Sequence, residues 1–126
     1  MDIATKDSWK IEEMSELNTD LSLNIQLTSD ELEKIKKGHI PEEMEDHWFM
    51  YFDNNKLYIH RSWTGICIFV VDVLDSGLIH HAIVTRDDSK YKSKNNQKDT
   101  YLLKSLIYNL IGRFEEARDA FEKSIK

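Results

Sequence analysis

Between residues 48 and 85 the chain turns from polar to β-forming, in short apolar bursts separated by turn residues. Trp48-Phe49-Met50-Tyr51-Phe52 runs into Asp53-Asn54-Asn55 and then into Lys56-Leu57-Tyr58-Ile59-His60-Arg61-Ser62-Trp63. Aspartate and asparagine tolerate positive φ, so two aromatic strands flanking them predict a β-hairpin, with Phe52 or Asp53 pairing with Lys56 or Leu57. Thr64-Gly65 and Asp75-Ser76-Gly77 set off two further runs, residues 66–73 and 78–85. Connections this short join antiparallel neighbours, which makes a meander of four strands. Upstream, Leu21-Ser22-Leu23-Asn24-Ile25-Gln26-Leu27 alternates with the period of a half-buried strand and offers a fifth.

Two helical patterns complete the expected α+β fold. Residues 28–38 start with Thr28 or Ser29 as a cap, carry acids in the first turn and lysines in the last, and stop at Gly38, as a short helix should. Leu102, Leu103, Leu106, Ile107, Leu110, Ile111, Phe114, Ala117, Phe121 and Ile125 recur every three or four residues, the pattern of a long amphipathic C-terminal helix. Gly112 could interrupt it, and Leu103, Leu106, Ile107 and Leu110 are expected to face the sheet. Residues 87–99 are hydrophilic and lysine-rich, the composition of an exposed loop. Residues 1–20 read as an irregular lead-in or a short helix around residues 8–17.

A length of 126 residues suits one domain, residues 1–126, with one core. The N-terminal stretch lacks the apolar run of a secretory signal and no segment is long enough to span a bilayer, so a cytoplasmic protein without membrane contact is expected. The single cysteine, Cys67, excludes an internal disulfide and sits in an apolar run as a small core residue. A net charge of −6 repels phosphate backbones and argues against nonspecific nucleic-acid binding. An anionic ligand must then be held by a local cluster, which focuses attention on Arg61, Arg86, Arg113 and Arg118.

The stretch 57–65 is the most informative. Strand alternation puts Leu57, Ile59, Arg61 and Trp63 on one face and Tyr58, His60 and Ser62 on the other. If Leu57 and Ile59 face the core, Arg61 is carried toward it, where it needs either a carboxylate such as Asp53 or Asp72 or an anionic ligand. Arginine matches phosphate with a two-pronged hydrogen bond. Trp48 and Trp63 offer flat surfaces for a base, and Ser62, Thr64 and Gly65 offer a hydroxyl pair and an accessible backbone N–H. Asp53, His60 and Asp72 could serve acid–base chemistry, but no spacing pairs them. His80 and His81 point to opposite strand faces, so a shared metal is not expected. No glycine fingerprint, Walker loop, nucleophile elbow or HExxH signals a cofactor or a known catalytic class.

The runs Ile40-Pro41-Glu42-Glu43-Met44-Glu45-Asp46-His47-Trp48-Phe49-Met50-Tyr51 and Leu57-Tyr58-Ile59-His60-Arg61-Ser62-Trp63-Thr64-Gly65, with Thr85-Arg86-Asp87 and Tyr91, support a comparison. They resemble a small accessory domain of bacterial ADP-ribosylglycohydrolase-like and macrodomain-like proteins. The resemblance spans residues 38–111, with His-Arg-Ser-Trp-Thr-Gly its most distinctive word. It implies ADP-ribose-related chemistry by association. A copy standing alone is similar in kind to phage sponges that sequester the cyclic ADP-ribose signals of Thoeris-type defences. The glycohydrolases' metal-binding acidic motifs have no counterpart here, so their catalysis does not carry over.

The resulting expectation is a non-catalytic module for a small NAD-derived nucleotide. Trp48, Arg61, Ser62, Trp63, Thr64, Gly65 and Arg86 contact the ligand, with no metal and no cofactor, in a homo-oligomer that helps enclose it. The alternatives are an enzyme hydrolysing an ADP-ribose derivative and an acidic inhibitor or immunity protein with an aromatic hot spot.

Overall fold

The computed structural model describes residues 3–126. Its order is β1 (Asn18–Gln26), α1 (Ser29–Lys37), β2 (Trp48–Asp53), β3 (Lys56–Arg61), β4 (Cys67–Val73), β5 (Leu78–Thr85), α2 (Asn96–Ile111) and α3 (Phe114–Ser124). The strands form one five-stranded antiparallel sheet in the order β1-β5-β4-β3-β2. The α+β expectation therefore holds, with the meander intact and β1 closing its far side against β5. At the hairpin, Phe52 faces Leu57 and Asp53 faces Lys56. Asn54 and Asn55 take up φ of 52° and 63°, the left-handed values that the turn needs.

One sheet face carries the main core. Leu21, Leu23 and Ile25 of β1 join Leu57, Ile59, Phe69, Val71, Ile79 and Val84 beneath Ile35 of α1 and Leu103 and Ile107 of α2. Thr28 caps α1 through a full capping box with Glu31, so the local signals and the buried Ile35 agree on where this helix starts and how it lies.

Two expectations need correction. The long C-terminal helix is two helices. Gly112 adopts a left-handed φ of 87° and closes α2 with backbone bonds to Asn109 and Tyr108, after which α3 doubles back until Lys123 lies over the Tyr101 ring. Leu103, Leu106 and Ile107 are buried as expected, but α3 packs through Ala117 and Ala120 and leaves Phe114, Phe121 and Ile125 exposed. The reversal at Gly112 breaks the continuous stripe, and small residues allow the closest approach between helices.

The loop after β5 is also not simply exposed. Its last part is already helix, because Asn95 caps α2 and Asp99 is buried within its first turn. Of the two readings of the N-terminus the irregular one holds up to β1, and residues 8–17 form no helix. The N-terminal segment is an irregular strap across the second face of the sheet, where Ala4, Trp9 and Ile11 cover Phe49 and Tyr51 in a smaller core.

Candidate functional site

The site is built where β2 begins and β3 ends. Trp48 pairs with Arg61, so both side chains lie on the face of Met50 and Ile59. A β-bulge sets the pattern next door: Ile59 pairs with Phe69, but His60 pairs with Cys67, leaving Ile68 as the extra residue of β4. Ile68 and Phe69 both join the main core, while Cys67 and His60 stay together on the strap face.

Arg61 is on the predicted face but is exposed rather than carried into the core, because the sheet ends there. Its guanidinium carbon lies 5.2 Å from the centroid of the Trp48 ring. Neither carboxylate considered from the sequence reaches it. Asp72 is held by Lys56 and by His81, and Asp53 is exposed at the hairpin tip. Among the described residues Arg61 has no ion-pair partner. Together with His47, Trp63 and Thr64 it lines an open hollow of about 300 Å³.

Strand β3 stops at Arg61, earlier than the sequence suggests, and residues 62–65 turn tightly with Gly65 N–H donating to Arg61 O at 2.8 Å. Trp63 is thereby swung out of the strand alternation. It is 70% exposed, and its Nε1–H donates to Met44 O at 3.0 Å, which fixes the ring with its faces free. His47 lies beside it with ring centroids 6.5 Å apart.

The other sequence candidates have structural partners. Ser62 is buried, donating Oγ–H to Asp46 O at 2.8 Å and accepting Trp9 Nε1–H on its carbonyl. Thr64 Oγ1 accepts from Ile66 N–H within the turn. Gly65, at φ 77°, presses against the strap: a Cβ there would lie 2.4 Å from Lys10 O, and its own carbonyl accepts Glu12 N–H. Its lack of a side chain admits the strap, where the sequence suggested a ligand.

Arg86 is at a distance from this group. Its Nη2 lies 2.7 Å from Asp99 Oδ2, and its Nη1 donates to Ser93 O. The same carboxylate accepts Tyr91 and Ser93 hydroxyls on Oδ1. Arg86 thus organises the loop before α2 around a buried acid. Arg113 is likewise committed, forked onto Glu31, whose carboxyl is held down to about 2 mainly by that hydrogen bond. Of the seven candidates, Arg61, Trp63 and Thr64 line the open hollow; Trp48 lies against Arg61 but borders a neighbouring hollow with His39 and Asp46; Ser62 and Gly65 are held by structural partners, and Arg86 does not join the group.

The acid–base candidates remain apart. Asp72 is opposite Lys56 and Cys67 is opposite His60, four residues along β3 and about 13 Å away. His81 binds Asp20 and Asp72 on the outer face, while His80 is exposed. Among the described residues no cluster of three His, Cys, Asp or Glu side chains is arranged to hold a metal ion, and no helix is long and apolar enough to cross a membrane.

Sequence reasoning missed His47, which only the turn at residues 62–65 brings beside Trp63. It also missed a cleft of about 470 Å³ on the strap face, floored by Tyr51, Tyr58 and His60. The alternation of Tyr58 and His60 opposite Leu57 and Ile59 marks that floor in the sequence, but nothing in residues 3–17 foretells the strap that makes it a cleft. Comparison with protein-family models, curated proteins and solved structures returned no match.

Proposed function

We propose that this chain is a cytoplasmic, non-catalytic binding module that sequesters a small NAD-derived nucleotide, of the kind represented by a cyclic ADP-ribose signal. The observation that carries the reading is Arg61. Its guanidinium has no carboxylate partner among the described residues, rests on Trp48 and faces a hollow walled by His47, Trp63 and Thr64. An unpaired arginine fork suits a phosphate, and the exposed Trp63 face suits a base. The hollow is open, so tight retention calls for a second wall, and a homo-oligomer supplying one belongs to the same proposal.

The test is retention of ADP-ribose and cyclic ADP-ribose by the purified protein, followed by denaturation and chromatography of what is released. Unchanged nucleotide is the expected result. Arg61→Ala should weaken binding by about 1.5–3 kcal/mol, the worth of hydrogen bonds to a charged group, and leave the melting temperature within a degree or two of wild type because nothing buried depends on it. Arg61→Lys keeps the charge but loses the planar fork and should recover only part of the affinity. Wild-type affinity in both variants ends the proposal. A changed nucleotide on release would indicate turnover instead.

One observation favours the protein-binding alternative. Trp63 and Met44 are both largely exposed, side by side, with the acidic side chains of Glu42 and Glu43 next to them. An aromatic anchor ringed by negative charge suits a basic protein surface. Failure to retain any nucleotide, with Arg61 intact, turns the reading toward that partner.

A further inference from the structure

On the sheet face opposite Arg61, the strap leaves the cleft floored by Tyr51, Tyr58 and His60. His60 is only 1% exposed. Its Nδ1 lies 3.0 Å from Gly65 O. A carbonyl oxygen can only accept, so the ring carries its proton on Nδ1 and presents a bare lone pair on Nε2. That Nε2 is buried and has no hydrogen-bond partner among the described residues. Burial also holds His60 below its ordinary pKa, which keeps the ring neutral and Nε2 an acceptor at neutral pH. A buried acceptor without a partner is costly, and His60 is among the residues that line a cleft of ligand size.

The walls state what such a ligand must look like. Tyr51 stacks on Tyr58 at 4.7 Å and on His60 at 5.7 Å, forming a ladder of aromatic rings across β2 and β3. The strap contributes Lys6 against Asp7, Glu12 and Glu13 at the rim, and Glu12 is already paired with Lys90. An acceptor on the floor, aromatic rings beside it and surplus carboxylate at the mouth all select a cation with N–H donors. They disfavour the phosphates proposed for the Arg61 side. Cys67 also borders the cleft, but burial pushes its thiol up to about 12, so it is no nucleophile there.

We propose that this cleft is a second binding site, for a small organic cation that donates an N–H to His60 Nε2 and sets its positive charge against Asp7 and Glu13. The site stands independently of the nucleotide reading, since it uses the other face of the sheet and none of the same side chains.

Tryptamine serves as the probe and indole-3-acetate, with the same ring and the opposite charge, as its control. With 15N-labelled protein, long-range proton–nitrogen spectra read the two His60 ring nitrogens separately. Saturating tryptamine should shift Nε2 and leave Nδ1 bonded to Gly65. Indole-3-acetate should bind roughly tenfold more weakly or worse, and Glu13→Gln should weaken tryptamine about threefold, as expected for an exposed charge. His60→Phe keeps the ring stack and should cost roughly tenfold, the worth of one hydrogen bond. Arg61→Ala should bind tryptamine as wild type does, so loss of one site is distinguishable from loss of the other. The proposal is overturned by an Nε2 signal that tryptamine leaves unmoved, including one held by a bound water. It is equally overturned by equal affinity for the two probes, or by a folded His60→Phe variant that binds tryptamine normally. Should His60→Phe fail to fold, the wild-type titration and Glu13→Gln decide.

Discussion

Three residues that the sequence presents as equals, Arg61, Arg86 and Gly65, have different work to do, and burial separates them. Arg61 is exposed on Trp48, so its loss strands nothing. Arg86 has a side chain only 16% exposed and lies against Asp99, which is almost wholly buried. Removing either member leaves an unpaired charge inside, so Arg86→Ala and Asp99→Ala should each cost about 3–5 kcal/mol in urea unfolding. The nucleotide binding proposed for the Arg61 hollow should persist in whatever fraction stays folded. Gly65 has a third role. Its positive φ and the 2.4 Å approach of Lys10 O make a side chain unwelcome on two counts. Gly65→Ala should cost about 1–3 kcal/mol, the scale of a strained backbone position. It should also loosen the strap, seen as faster tryptic cleavage at Lys6 and Lys10. Unchanged stability and unchanged cleavage would mean that the strap does not depend on this contact.

At the scale of elements, the parts legible in the sequence are those where local and tertiary signals agree. The β2–β3 hairpin has its turn written in Asp53-Asn54-Asn55 and its register in the alternation of Leu57 and Ile59 with Tyr58. Helix α1 has Thr28, Glu31 and Gly38 at its ends and Ile35 on its inner face. What was illegible depends on a reversal or a skipped residue. The periodic stripe through Phe114 and Phe121 looks like one helix because a left-handed glycine at position 112 changes direction without disturbing the spacing. The bulge at Ile68 is invisible in a run of apolar residues, yet it keeps His60 beside Cys67. Arg86 reads as an anion ligand because its partner is 13 residues downstream, inside what composition marks as loop. The burial of α2 can be tested directly. Leu103 is fully buried against the sheet and should cost about 2–5 kcal/mol as Leu103→Ala, whereas Phe121→Ala on the exposed side of α3 should stay within about 0.5 kcal/mol in the monomer. Equal losses at the two positions would show that α3 is buried in an assembly.

Across the whole molecule, the sheet carries opposite chemistries on its two faces, and the outer face holds a ladder of charge that spans four strands: Asp20 on β1, His81 on β5, Asp72 on β4 and Lys56 on β3. His81 Nε2 is 2.8 Å from Asp20 and Nδ1 is 2.6 Å from Asp72. A neutral imidazole has one N–H, so it can donate to both acids only as the cation. Those two hydrogen bonds, Asp20 first, raise the His81 pKa above its ordinary 6.5. For Asp72, burial works upward, but hydrogen bonds from Lys56 and His81 outweigh it and leave the carboxyl below its ordinary 3.8. The two groups therefore bound a window. The contribution from His81 is fully present below about pH 6.5 and is lost as pH rises through its raised folded value. The contribution from Asp72 is present above about pH 4 and is lost as pH falls through its lowered folded value. The ladder should stabilise the sheet most between those limits. His81→Gln should accordingly lower the melting temperature more at pH 5.5 than at pH 9. Because His81 is about a third exposed and Asp20 largely so, the difference should be under about 1 kcal/mol and should shrink in 1 M salt. A gap between wild type and variant that is the same at both pH values would mean that His81 holds the strands as a neutral ring, and that the charge plays no part.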